Sequence, residues 1–160
     1  MLSPKLCHGK RGERSGLSPE LLPAVTVRRA RSSDLAAIAD VQAASVGAAQ
    51  WDVRDYLPYH LIVAMCGDGL AGFAVARRLA EDEAELLNLA VHPAFRRRGI
   101  GRRLFAELIS WHPGDFWLEV RESNIAARNF YKNLGLREAG YRPAYYCDSH
   151  EGAIVMNFHS

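Results

Sequence analysis

The stretch ELLNLAVHPAFRRRGIGRRLF, residues 85–105, decides the fold class of this chain. After Glu85, its first part up to Val91 is apolar apart from Asn88, a pattern typical of a central strand that is covered on both faces. His92-Pro93 ends the strand, and residues 96–101 form a turn rich in arginine and glycine. Apolar residues at helical spacing follow this turn. The stretch therefore predicts a strand, a tight turn and a helix in direct succession.

Strand and helix patterns alternate on both sides of this stretch. Upstream, two apolar segments at 61–65 and 70–77 are separated by Gly67-Asp68-Gly69, which predicts a β-hairpin. Further strands are predicted at 25–27, 116–120, 136–141 and 153–158. Helices are predicted after Ser32 or Ser33 and at 125–134, and a partly helical segment at 51–59. This order predicts an α/β or α+β fold, in which crossover helices connect the strands of a mixed sheet.

Length and composition favour one soluble globular domain. The chain has 160 residues, of which 49% are apolar and 24% are charged. Residues 1–24 differ from the rest because they mix basic residues with glycine, serine and proline and show no periodicity. We interpret them as a flexible, disordered basic tail or as a start site placed too far upstream. The single domain is then expected to cover residues 25–160.

Charge and cysteine content exclude several classes of function. A net charge of +2 is too small to indicate a nucleic-acid partner, and the arginines lack interleaved aromatic residues. The three cysteines and six histidines show no metal-ligand spacing, so we expect free thiols in a reducing cytoplasm and no metal. The longest compact apolar run, residues 61–65, is too short to cross a bilayer, and the N-terminus lacks a secretory apolar segment. We expect a cytoplasmic protein without membrane contact.

The turn at 96–101 is a candidate anion-binding loop. Gly99 and Gly101 lack a Cβ atom, so their N–H groups can approach a ligand closely. The following helix adds unpaired N–H donors and the positive end of its dipole. No Gly-Lys-Ser/Thr follows, and G-x-G-x-x-G is missing, so neither a Walker A loop nor a dinucleotide fingerprint is present. The turn predicts a phosphate or pyrophosphate site, with a solvated arginine run as the alternative.

Arg96-x-x-Gly99-x-Gly101, directly after LAVHP at 89–93, resembles the coenzyme A pyrophosphate loop of the GNAT acetyltransferases. The resemblance continues in WLEVRESN at 117–124 and AARNFYKNLGL at 126–136 and covers about residues 25–158. It is similar to the RimI branch, the ribosomal-protein alanine N-acetyltransferases. The resemblance implies the GNAT fold, with a mixed central sheet of about six to seven strands, about four flanking helices and splayed central strands that hold the cofactor. It also implies direct transfer of acetyl from acetyl-CoA to a primary amine.

The resemblance further implies roles for individual residues. Glu119 matches the general base, which the reaction needs because an α-amine with a pKa of about 7.7–8.0 is partly protonated near neutrality. Tyr131 matches the acid that protonates the departing thiolate. Without the resemblance, a salt-bridged glutamate, for example with Arg121, and a core-edge tyrosine bonded to a backbone carbonyl would be preferred. The implied cofactor-binding residues are Leu89, Ala90, Val91, Arg96, Arg97, Arg98, Gly99, Ile100, Gly101 and Asn124. For Asn124 the alternative is a helix N-cap, and both roles could hold together.

The resemblance also implies Trp51, Tyr145 and Tyr146 as substrate-binding residues, and core packing is the alternative for each. The sequence departs from the branch at Gly152, where an acidic residue is common, and at Gln50-Trp51-Asp52, which replaces Pro-Trp-Ser. The usual acceptor of the branch is the N-terminal alanine of a small-subunit ribosomal protein. A lysine or small-molecule amine acetyltransferase and a non-catalytic acetyl-CoA-binding module are the alternatives.

Overall fold

The computed structural model describes residues 23–159 of the chain. Within them one mixed sheet has the strand order β1-β2-β3-β4-β5-β7-β6. The strands are β1 Val25–Arg29, β2 His60–Cys66, β3 Gly69–Arg78, β4 Glu83–Val91, β5 Asp115–Arg121, β6 Arg137–Arg142 and β7 Ala153–Phe158. The helices are α1 Leu35–Ala44, α2 Ile100–Trp111 and α3 Ile125–Asn133, with 3₁₀ turns at Ser32–Asp34, Val53–Tyr56 and Pro93–Phe95. Seven strands agree with the expected six to seven.

The helix count is one correction to the sequence-based expectation, since the described residues contain three α-helices in place of about four. The segment 51–59 forms a single 3₁₀ turn, Val53–Tyr56. Asp52 caps this turn by accepting a hydrogen bond from the Arg54 N–H at 3.0 Å. Pro58, which follows at once, cannot continue a helix. The predicted tail at residues 1–24 lies outside the described residues except for its last two.

The sheet separates two hydrophobic cores, which explains why its central strands are apolar on both faces. On β3, Phe73 and Val75 pack on the side of α1. Ala74 and Ala76 belong to the opposite core, which also contains Leu104 of α2. The large side chains on one face and the small ones on the other let α2 approach the sheet closely. Nowhere in residues 23–159 does a helix combine the length and the apolar character that a membrane crossing requires.

The feature that positions the site is the separation of β4 from β5. These parallel neighbours pair over three residues, Glu83–Glu85 with Asp115–Trp117. Beyond Glu85 strand β4 continues to Val91 and β5 continues to Arg121 without pairing to each other, while the opposite edge of β5 is paired with β7 from Phe116 to Arg121. The central strands are therefore splayed, as the resemblance implied, and a cleft opens between them.

Candidate active site

The gap between β4 and β5 opens into a cleft of about 860 Å³. This volume lies in the range of small-molecule and cofactor sites. Residues of β4 and β5 form its walls, together with the turn before α2, the start of α3 and the segment 45–51 that follows α1. Nearly all of the predicted site residues line this one cleft: Trp51, Leu89, Ala90, Val91, Arg96, Arg97, Gly99, Ile100, Gly101, Glu119, Asn124, Tyr131, Tyr145 and Tyr146.

The turn before α2 owes its shape to left-handed backbone conformations. Gly99 is the N-cap of α2 with φ 71°, and Arg97 also has a positive φ of 61°. A Cβ atom added at Gly99 would meet no atom of residues 23–159 within 4 Å. Glycine is therefore favoured here by the backbone conformation rather than by neighbouring side chains. The first N–H groups of α2, at Ile100 and the residues after it, have no partner within the helix and are available to an anion.

Gly101 serves a second purpose that the sequence did not indicate. A Cβ atom at Gly101 would lie 2.8 Å from the ring of Phe130 in α3. The missing side chain lets α2 and α3 pack closely beside the cleft. Gly99 and Gly101 therefore differ in function, although both belong to one short motif.

The arginines near this turn do not all face the cleft. Arg96 and Arg97 line it, and Arg102 of α2, which sequence reasoning missed, lines it as well. The Arg98 guanidinium lies over the ring of Phe95, 5.4 Å from its centroid, and Arg98 is not among the residues that line the cleft. The positive charge at this end of the cleft thus comes from Arg96, Arg97 and Arg102.

Asn124 caps α3 and faces the cleft at the same time. Its Oδ1 accepts a hydrogen bond from the Ala127 N–H at 3.1 Å. Its Nδ2 lies so close to Gly47 that a Cβ atom there would be 2.7 Å away. The start of α3 therefore meets the segment 45–51 across the cleft, and the N-cap and a ligand contact are compatible roles for Asn124.

Glu119 of β5 is a partly buried carboxylate in the cleft wall. Its side chain is 15% exposed, and its Oε1 lies 3.2 Å from Nε of Arg142 in β6. The alternative partner, Arg121, pairs instead with Asp148 at 2.8 Å and with Glu151 at 3.6 Å. Burial and the nearby carboxylate of Glu85 raise the pKa of Glu119, and the Arg142 guanidinium opposes them. This carboxylate can take up a proton more readily than an exposed glutamate.

Tyr131 of α3 is 8% exposed and lines the same cleft. Among residues 23–159 its hydroxyl has no hydrogen-bond partner, so it is not the core-edge tyrosine bonded to a carbonyl that spacing alone would favour. Burial raises the pKa of Tyr131, and the hydroxyl stays protonated at neutral pH. Its proton remains available to a group in the cleft.

The aromatic residues expected on the substrate side also line the cleft. Trp51 and Tyr145 are 47% and 45% exposed, so both present a large apolar surface at the opening. Tyr146 is more enclosed: the Arg121 guanidinium lies 4.0 Å from its ring centroid, and burial raises its pKa to about 12. Nearby, the Tyr141 ring lies over Gly152 and occupies the space of a side chain there. Gly152 therefore accommodates Tyr141.

A buried network that sequence reasoning missed fixes the segment 45–51 to the sheet. Asn88 of β4 donates to the Tyr56 hydroxyl at 2.9 Å and to the Ala49 carbonyl at 3.0 Å. The Tyr56 hydroxyl donates to Gln42 Oε1 at 2.7 Å, and Gln42 Nε2 donates to the Trp51 carbonyl at 2.7 Å. The polar residue in the otherwise apolar run 86–91 was the available signal for this network.

In the described part of the chain, no group of three or more His, Cys, Asp or Glu residues could hold a metal ion. The splayed sheet, a helix start with free N–H donors, and a carboxyl and a phenol group that line the same cleft are compatible with an acyl-transfer site. Residues 30–136 match the model of the acetyltransferase (GNAT) family. The protein therefore belongs to the GNAT acetyltransferase family.

Comparison with individual proteins points to one branch of this family. The chain is 45% identical over 95 residues to the [ribosomal protein bS18]-alanine N-acetyltransferase of Salmonella typhimurium, an alignment that covers 56% of this chain and 64% of that protein. The alignment thus spans less than two thirds of this relative's length.

Two solved structures resemble the whole described domain. The ribosomal-protein-S18-alanine N-acetyltransferase of Escherichia coli has a TM-score of 0.75 and 31% identity, over 85% of this chain and 94% of that chain. Ard1 of Thermoplasma volcanium has a TM-score of 0.77 and 28% identity, over 85% of this chain and 97% of that chain. Within its family the protein is thus similar to the ribosomal-protein alanine N-acetyltransferases.

Proposed function

We propose that this protein is an acetyl-CoA-dependent N-acetyltransferase that acetylates the N-terminal amino group of a protein. The observation that carries this proposal is the placement of Glu119 and Tyr131 in one cleft, beside the anion-binding turn at 96–101. One group is suited to accept a proton and the other to donate one. A non-catalytic binding module would need neither group in its cleft.

The residues of the cleft fit coenzyme A. Past Glu85, the edge of β4 that faces β5 has no strand partner among residues 23–159, so the main chain of Leu89, Ala90 and Val91 can pair with the amides of the pantetheine arm. The left-handed turn at Gly99 and the start of α2 would hold the pyrophosphate, with Arg96, Arg97 and Arg102 adding positive charge. Acetyl-CoA, when bound, supplies the acetyl group as a thioester whose carbonyl carbon an amine can attack.

The two polar side chains divide the proton transfers between them. Glu119 takes the proton of the acceptor ammonium, because only the neutral amine is a nucleophile. The Tyr131 hydroxyl donates its proton to the sulfur atom as the carbon–sulfur bond breaks, and the second proton, which the nitrogen loses as the amide forms, restores the hydroxyl. Both groups lie in the wall of a half-enclosed cleft, which limits the access of competing water. No covalent intermediate with the protein is required.

The names of the relatives support a protein N-terminus as the acceptor. The Salmonella typhimurium and Escherichia coli proteins are named for the N-terminal alanine of a ribosomal protein. By similarity, we propose an N-terminal alanine, such as that of a small-subunit ribosomal protein, as the acceptor of this protein. Trp51 and Tyr145 would contact the first residues of the acceptor, since both are half-exposed at the cleft.

The experiment that tests this proposal measures free-thiol release from acetyl-CoA with two matched peptides. One peptide has a free N-terminal alanine and no lysine, and the other has a blocked N-terminus and one internal lysine. We expect turnover with the first peptide alone. Turnover with the second alone would instead establish a lysine acetyltransferase, and turnover with neither, while acetyl-CoA still binds, would contradict protein acetylation.

A further inference from the structure

Glu85 lies where the two central strands part. It is the last residue of β4 that pairs with β5, opposite Trp117. Its side chain is 16% exposed and lines the same cleft as Glu119. The splay that opens the cleft therefore also brings a second partly buried carboxylate to its inner end.

Four charged side chains form a row across the sheet at this point. Arg77 of β3 is the register partner of Glu85, and its Nε lies 2.6 Å from Glu85 Oε2. On the other side, Glu119 is paired with Arg142 of β6 at 3.2 Å. The two carboxylates lie between the two guanidinium groups, and each carboxylate has one arginine of its own.

This row explains how Glu119 can act as a base although it is paired with an arginine. An arginine partner stabilises the ionised carboxylate and makes it a weaker base, whereas a second carboxylate nearby has the opposite effect. The ion pair with Arg77 holds the Glu85 carboxylate in the wall of the cleft, where its negative charge acts on Glu119. The other titratable groups that face this pair are the hydroxyls of Tyr145 and Tyr146, with Tyr59 beside Arg77.

We propose that Glu85 is a positioning residue for acetyl transfer: its carboxylate, anchored by Arg77, offsets the charge of Arg142 on Glu119, so that Glu119 can take up the proton of the acceptor. This inference rests on the proposed function, because it assigns a role to a neighbour of the proposed base. Glu85 acts through Glu119 and is not itself required to contact the acceptor.

The test combines ¹³C NMR titration of the Glu119 carboxyl with steady-state kinetics on the N-terminal alanine peptide. The Glu119 resonance is assigned by its disappearance in Glu119→Gln. In Glu85→Gln we expect the Glu119 carboxyl to titrate at lower pH than in the wild-type protein. We also expect kcat to fall by about three- to tenfold, since a base of lower proton affinity accepts a proton less readily. Arg142→Gln removes the opposing charge and should move the Glu119 titration to higher pH.

Glu83→Gln is the matched control, because Glu83 lies two residues away on the same face of β4 but does not line the cleft. It should leave both the titration and kcat unchanged. A Glu119 titration that is the same in Glu85→Gln and wild-type protein would overturn the inference alone. A wild-type protein that transfers no acetyl group to any amine would overturn the proposed function, and the inference with it.

Discussion

At the scale of single residues, burial acts on Glu119 and Tyr131 in the same direction but with different consequences. Removing either group from water disfavours its charged form. For a carboxyl group this raises proton affinity toward the range that a general base needs, and for a phenol it keeps the proton in place. One half-enclosed cleft can therefore provide both a base and an acid.

The first prediction concerns Glu119. Glu119→Gln keeps the shape of the side chain but removes the proton acceptor, so kcat should fall by about 10²- to 10⁴-fold. The Kd of acetyl-CoA, measured by calorimetry, should change by less than about twofold, because the turn at 96–101 is untouched. Glu107→Gln on the exposed side of α2 is the control. An equal loss of turnover and of acetyl-CoA binding in Glu119→Gln would contradict the assignment as a base.

The second prediction concerns the pH dependence that Tyr131 imposes. An acid must be protonated to act, and burial raises the pKa of Tyr131 above the usual value of about 10. The ionisation of Tyr131 should therefore cause no loss of kcat on the alkaline side below about pH 10. Tyr131→Phe should lower kcat by the same factor at each pH between 6 and 9.5. A decrease of kcat near pH 8 that disappears in Tyr131→Phe would show that Tyr131 loses its proton near neutral pH, and it would contradict this prediction.

The third prediction separates backbone strain from ligand binding at Gly99. A valine at φ 71° costs about 1–2 kcal/mol of stability and adds a side chain where the phosphates are expected. Gly99→Val should therefore lower the free energy of unfolding and abolish acetyl-CoA binding. Gly67, with φ 61° in the β2–β3 turn, is a matched control away from the cleft. Gly67→Val should show a similar loss of stability with unchanged affinity. Unchanged affinity in Gly99→Val would refute the loop assignment.

At the scale of secondary-structure elements, local sequence patterns predicted the strands and turns whose formation depends on residues close together in the chain. The strand at 153–158 has the predicted bounds, and the hairpin turn after Cys66 lies where the glycines indicated. Contacts between distant residues were beyond such patterns. Asn88 meets Tyr56 and Gln42 across 32 and 46 residues of chain, and Gly101 is fitted to a ring on another helix. The residues of the candidate site could be predicted from the sequence largely because the chain resembles a family in which the corresponding residues come together.

The fourth prediction tests how Asn88 connects β4 to the segment 45–51. Asn88→Leu leaves the Ala49 carbonyl and Gln42 Oε1 without this donor, which should lower the free energy of unfolding by about 1–3 kcal/mol. The segment that carries Trp51 is then held less firmly, so KM for the peptide should rise by a larger factor than the Kd of acetyl-CoA. Asn157→Leu is the control, because Asn157 is also a buried amide, bonded to the Phe116 carbonyl at 3.3 Å, but away from the cleft. A KM that rises equally in both variants would assign Asn88 a purely structural role.

At the scale of the whole molecule, the splay divides the sheet into two parts. Strands β1–β4 form one part and β5–β7 the other, and the direct sheet contact between them, within residues 23–159, is three residue pairs long. Opening the cleft leaves the rest of β4 without sheet hydrogen bonds to β5. Helices α2 and α3 pack in one shared core on one face of the sheet, next to this gap. A cofactor that pairs with the free edge of β4 would restore part of the missing contact and join the two parts of the sheet.

The fifth prediction follows from this division. At a concentration of acetyl-CoA 100-fold above Kd, mass action should raise the free energy of unfolding by about 2.7 kcal/mol. Hydrogen exchange should slow most at Leu86–Val91, at Leu118–Arg121 and in the first turn of α2, where the ligand would contact the backbone. Strands β1 and β2 lie at the far edge of the sheet and should gain less protection. Protection confined to α2 would show that the phosphates alone are held and that the edge of β4 takes no part. Equal protection of all strands would instead show that the two parts of the sheet already open as one unit without the ligand.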